Sequence, residues 1–183
     1  MFFSSNTGSN TCSLILYKKK RRTEPISLCP AFPISRIQIY IHCPVDVYKR
    51  QGGAMGADMW ASEILLHMKE QTAYQDVELC LALPFEGYDA DWDDWHRKRM
   101  KFIRKYAAKV LILGEMPSSE NYKKRNYFMV DQVGCMVAVY DNVNNMRSGT
   151  QQTVNYAKKK GLQIIYIHPD TAQVTTEDAT LWK

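Results

Sequence analysis

Gly52-Gly-Ala-Met-Gly-Ala-Asp58 is a glycine-rich turn opening into a helix, and it starts a regular alternation of helix and strand patterns. Ala57, Ala61, Ile64, Leu65 and Met68 recur at spacings of three and four, which marks one apolar helical stripe. Val77-Glu-Leu-Cys-Leu-Ala-Leu83 reads as a buried strand stopped by Pro84. Asp89 to Asp94 offers N-cap candidates for a second helix, with Trp95, Phe102, Ile103 and Tyr106 expected inward and Lys/Arg toward its end. Lys109–Leu113 is the next strand, Glu120–Gln132 a helix and Cys135–Tyr140 a strand. Thr150–Lys160 is a helix closed by Gly161, and Leu162–Ile167 a last strand before Pro169. Near-continuous apolar strands are buried on both faces, so the pattern predicts an α/β protein whose mostly parallel sheet is covered by helices.

Right-handed crossovers would set the loops Gly52–Gly56 and Ser148–Thr150 along the carboxyl edge of that sheet, where such folds bind ligands. Gly52, Gly53, Gly56 and Gly149 lack a Cβ, so a backbone built from them can approach an anion, and the helix behind each loop presents unpaired N–H groups. Thr150 and Thr153, in the first turn of their helix, could cap it or reach a phosphate. Asp58 could fix the first loop or take hydrogen bonds from a ribose; Arg125, Asn126 and Asp131 supply a cation, an amide and a carboxylate near a third loop. The plain alternatives are ordinary N-capping, dipole pairing and a solvated helix face. Asp91, Asp93, Asp94 and His96 do not face one point on a helix, so no metal site is read there. His67 and His168 read as structural, and no nucleophile–base set can be assembled, so no catalytic residue is assigned.

The chain has 183 residues, 45% hydrophobic and 23% charged, which fits one folded domain with or without a tail and excludes wholesale disorder. Its net charge of +5 divides unevenly. Residues 1–51 hold eight Lys/Arg against two Asp/Glu, a balance of +6, whereas residues 52–183 hold sixteen against seventeen, a balance of −1. The body therefore gives little electrostatic case for a nucleic-acid partner. No apolar run nears the roughly 18 residues of a membrane span. The five cysteines form no C-x-x-C pair, which argues against a disulfide framework or zinc site and for a reducing, cytoplasmic location. Before Gly52 the order is lost: Arg36–His42 alone alternates like a strand. Asp46-Val-Tyr-Lys-Arg-Gln51 resembles the conceptual translation of a transposon end used to prepare sequencing libraries. Residues 1–51 are accordingly read as a non-native or disordered basic head, 52–170 as the domain and 171–183 as a polar tail.

Taken in order, Gly52-Gly-x-x-Gly-x-Asp58, Pro84-Phe-Glu86 with Trp92, Arg125-Asn126 with Asp131, and Ser148-Gly-Thr150 with Thr153 and Tyr156-Ala157 resemble the YpsA-like branch of the SLOG superfamily. The superfamily also includes the LOG proteins and DprA. The resemblance spans about residues 52–170 and implies a three-layer Rossmann-like fold that binds a nucleotide, ADP-ribose or an NAD-related molecule at the glycine loops. By that reading Gly52, Gly53, Gly56 and Gly149 meet phosphate through backbone N–H groups, while Asp58, Arg125, Asn126 and Asp131 shape the sugar or base end. Self-association into a homo-oligomer is left open. LOG proteins hydrolyse cytokinin nucleotides with a carboxylate where this chain has Thr153, which speaks against that chemistry, although Asp58 or Glu63 could serve an N-glycosidic hydrolase. A DprA-like single-strand DNA binder is the third reading. Gly134 stands where the pattern usually has an acid, and the family's first strand with its Thr-Gly loop has no counterpart before Gly52. Either Ile37–Ile41 replaces that strand or the first βα unit is missing, and the chain is expected to be poorly stable.

Overall fold

The computed structural model describes residues 12–14, 48–141 and 149–178. Among the described residues, seven strands and four α-helices alternate. The strands are β1 (Cys12–Leu14), β2 (Tyr48–Gln51), β3 (Glu78–Leu83), β4 (Lys109–Ile112), β5 (Cys135–Val139), β6 (Gln163–Ile167) and β7 (Val174–Glu177). The helices are α1 (Ala57–Met68), α2 (Asp94–Tyr106), α3 (Ser119–Asp131) and α4 (Gly149–Lys159). Strands β2, β3 and β4 pair in parallel, as do β1, β5 and β6, and only β7 runs antiparallel to its neighbour β6. Because β1 also lies beside β2, the spatial order is β4-β3-β2-β1-β5-β6-β7, and the layered α/β architecture expected from the sequence is the one observed.

Helices cover both faces. Leu79, Leu81 and Leu83 of β3 and Val137 and Val139 of β5 pack with Ala57, Met59, Ala61, Leu65, Met100 and Ile103 of α1 and α2. On the other face, Ala82, Met136, Ala138 and Ile164 pack with Met129 and Val130 of α3 and Val154 and Ala157 of α4. Period-two alternation thus divides each central strand between two cores, and burying each large side chain contributes about 1.5–3 kcal/mol.

Three expectations change. The first concerns α2, whose buried apolar residues are Met100 and Ile103, while Trp95, Phe102 and Tyr106 are 54%, 52% and 51% exposed. They follow one another at spacings of seven and four, a perfectly good helical stripe, but the sheet takes the neighbouring stripe. Arg99 lies over the Trp95 ring at 4.2 Å and reaches Glu63 of α1 with two hydrogen bonds, so the aromatic stripe sits at the outer margin of the α1–α2 pair.

The second concerns the head, which contributes β1 and β2 to the sheet. The strand expected at 36–42 lies outside the described residues. The third concerns the polar stretch after residue 171, which turns back through His168–Gln173 and adds β7 at the sheet's edge. An edge strand has one partner and a wet face, so Thr175 and Thr176 suffice where a central strand would need an apolar run.

Strand β2 is chemically unusual for its position. In register, Lys49 sits beside Leu79 and Gln51 beside Leu81, so both side chains point into the α1–α2 core. They are 3% and 0% exposed, and the Lys49 ammonium and both polar atoms of the Gln51 amide have no hydrogen-bond partner among the described residues. Arg50 points to the opposite face, where its guanidinium donates to the carbonyl of Gln132 at the end of α3.

Candidate functional site

Strand β2 ends at Gln51 and the chain enters the glycine turn at the carboxyl edge of the sheet. Gly53 and Gly56 adopt φ of +66° and +93°, a region that penalises any side chain, so these two glycines are needed for the bend. Gly56 is the N-cap of α1 and offers no side chain to the first-turn N–H groups.

Side chains from three other elements hold this turn in place. The Arg125 guanidinium, on α3, donates to the Gly52 carbonyl, and a Cβ at Gly52 would collide with Arg125 and come within 2.8 Å of the Asp58 carboxylate. Asp58 accepts from the Ala54 N–H at 3.1 Å, while its own carbonyl takes the Ser62 hydroxyl at 2.8 Å. The Tyr88 hydroxyl donates to the Gly53 carbonyl at 2.9 Å. Asp58 is fully buried and Arg125 is 2% exposed, so both lie beneath the turn, bracing it. Burial pushes the Tyr88 phenol well above its ordinary range, and the Asp89 charge adds to this, so the donor keeps its proton. No sequence signal singled out Tyr88; it is an aromatic in a connection, and only the tertiary contact gives it this task.

The second loop reaches α4 at the end of β5. Ser148 lies outside the described residues. Gly149 is exposed and Thr150 buried. Thr153 is fully buried, and its hydroxyl donates to the Gly149 carbonyl at 2.8 Å, which makes it a brace of the helix start. β1 lies between β2 and β5, so the two turns follow strands that flank one common neighbour.

The remaining candidates divide. Asn126 is buried next to Arg125 on α3. Asp131 closes α3 six residues beyond Arg125, so at ~1.5 Å per residue it lies roughly 9 Å farther along the helix. There it takes the Tyr156 hydroxyl at 3.0 Å and the Lys160 ammonium at 2.7 Å, with Tyr156 stacked on Tyr127. The structure therefore gathers Gly52, Gly53, Asp58 and Arg125 at one place, sets Gly149 and Thr150 at a second loop along the same edge, and keeps Asp131 apart. Among the described residues no cluster of His, Cys, Asp or Glu could hold a metal ion, and no helix is long and apolar enough to cross a membrane.

Comparison with known proteins identifies the pattern. The sequence model of the YpsA family, described as the YspA SLOG family, matches residues 50–172. A UPF0398 protein of Bacillus cereus (strain B4264) is 30% identical over 111 residues, which is 60% of this chain and 58% of that protein. The uncharacterized SPbeta prophage-derived protein YoqJ of Bacillus subtilis (strain 168) is 31% identical over 133 residues, 65% of this chain and 75% of that protein. The matched stretch thus spans little more than half the length of the Bacillus cereus relative.

Proposed function

This chain belongs to the YspA SLOG family, and from that membership and the geometry of its two loops we propose that it binds a nucleotide or nucleotide-derived ligand, ADP-ribose and NAD-related molecules included. The observation that carries the reading is the pair of helix starts, α1 and α4, which follow β2 and β5 at the carboxyl edge of a parallel sheet. Each brings the positive end of a helix dipole to that edge, worth about 0.3–1 kcal/mol to an anion at a surface. Gly52, Gly53, Gly56, Gly149 and Thr150 form the phosphate side of this reading, and Asp58 and Arg125 support it from below.

Binding without hydrolysis is favoured by where the carboxylates point. Asp58 is occupied by the turn it braces, and Glu63 is held by both nitrogens of an Arg99 fork. Thr153 stands where the hydrolases keep their acid. A cytoplasmic location is part of the proposal, supported by the buried free thiols of Cys80 and Cys135.

Calorimetric titration with a nucleotide panel that includes ADP-ribose and NAD tests this. Saturable binding of at least one member is expected. Failure of the full chain and of its Bacillus subtilis relative to bind any of them overturns the proposal.

A further inference from the structure

Three of the exposed large apolar side chains stand in one row. Trp95, Phe102 and Tyr106 follow a single line along α2, each about half exposed, and the Phe102 and Tyr106 ring centroids are 4.7 Å apart. Charge is divided along the same helix. Asp89, Asp91, Asp93 and Asp94 gather at its start, whereas Arg97 to Lys105 holds six cations and no acid. The fold neutralises part of this: Asp93 pairs with His96, Asp94 with Arg97, Glu63 with Arg99 and Glu86 with Arg104. What is left over keeps the division. Asp89 and Asp91 at one end, and Lys98, Lys101 and Lys105 beyond them, form no ion pair among the described residues.

We propose that this row is a contact between two copies of the chain, related by a two-fold axis that sets their α2 helices antiparallel. The segregated charge selects the partner. A surface of one sign, such as a nucleic acid or an anionic bilayer, meets repulsion from the acids at one end of the row while the lysines attract it. A parallel copy sets acids on acids and cations on cations, and such juxtapositions exclude a partner. An antiparallel copy lays the acidic start of each helix against the basic end of the other, and the two-fold axis repeats that contact at both ends.

The available area agrees with this arrangement. A buried aromatic side chain covers ~150–250 Å², so three that are half exposed offer roughly 300 Å² per copy. A stable interface takes about 800 Å² per partner. The rings therefore supply an apolar centre, and the charged side chains around them the rim, which is how such interfaces are built. The Lys105 ammonium, 5.0 Å from the Tyr106 ring, marks one end of the row, and Asp91, four residues before Trp95, marks the other.

Sedimentation velocity of the full chain tests the proposal. At roughly 50 µM, above the micromolar end of the range for such interfaces, the wild type should run with the mass of two chains. Asp91→Lys and Lys105→Glu should each run as one chain, because like charges then face each other at both ends. Mixed in equal amounts, the two variants should pair as strongly as the wild type. One end then joins the two replaced side chains and the other end the two original ones, opposite in sign in each case. Trp95→Ala should weaken association about tenfold, and unchanged circular dichroism shows that each variant is folded. A wild type that stays a single chain overturns the proposal and leaves the row to a different partner. A dimer that all three substitutions leave intact overturns it as well, as do two monomeric charge variants that stay monomeric when mixed.

Discussion

The Tyr88 hydroxyl donates to the Gly53 carbonyl at 2.9 Å, so a residue from the β3–α2 connection clasps the turn that leaves β2. Arg125 does the same one residue earlier, at Gly52, from α3. Removing the hydroxyl leaves a buried carbonyl unpaired, which costs about 1–3 kcal/mol. Tyr88→Phe should therefore lower the urea midpoint, with the m-value unchanged; an unaltered midpoint would show that the clasp contributes nothing.

Alkaline pH should act through the same phenol. Burial first, and the neighbouring Asp89 second, raise it above its ordinary value of about 10. The unfolded chain releases this proton near that value while the folded chain keeps it, so the stability is intact below pH ~10 and falls as pH rises beyond it. Tyr166, raised by burial and by its bond to Glu177, contributes in the same direction. Unfolding free energy measured between pH 9 and 11 should decline less steeply in Tyr88→Phe than in the wild type, and parallel slopes would contradict this account.

Strand β2 offers the opposite experiment. Lys49 and Gln51 are buried in an apolar core with no partner among the described residues, each at a cost of about 1–3 kcal/mol. Lys49→Met and Gln51→Leu keep the length of the side chains and remove the orphaned groups. Each should raise Tm by several degrees, taking about 2–4 °C per kcal/mol for a chain of this size. A lower Tm in both variants would mean that the strand does not sit where its register puts it.

Helix α2 separates size from burial. Ile103 is fully buried and Phe102 is 52% exposed. Ile103→Ala should destabilise by about 2–5 kcal/mol, and Phe102→Ala by about 0.5 kcal/mol or less. Comparable losses from the two substitutions in chemical denaturation would restore the inward reading of the aromatic stripe.

Glycine at position 53 should be less replaceable than at 56. Both have positive φ, but a Cβ at Gly53 would come within 2.9 Å of Leu83 and of the Tyr88 hydroxyl, whereas one at Gly56 meets nothing within 4 Å. Gly53→Ala adds a steric clash to the backbone strain of about 1–2 kcal/mol that both share. Its melting temperature should fall further than that of Gly56→Ala, and a larger loss in the latter would place the strain elsewhere.

The sequence by itself determined the alternation of helix and strand from Gly52 to Ile167, because fully buried strands write their burial as unbroken apolar runs such as Leu79–Leu83. It also located the turn at Gly52–Gly56, since a positive φ at Gly53 and Gly56 leaves a compositional mark. Tertiary structure alone decided which apolar stripe of α2 meets the sheet, as two stripes of equal period differ only in what lies opposite them. It alone recruited β1, β2 and β7, whose residues carry no apolar alternation and gain their strand form from a neighbour's backbone. It turned Asp58 and Arg125 from candidate ligand contacts into braces, because a side chain's partner depends on distances between elements far apart in the chain, which local spacing does not encode.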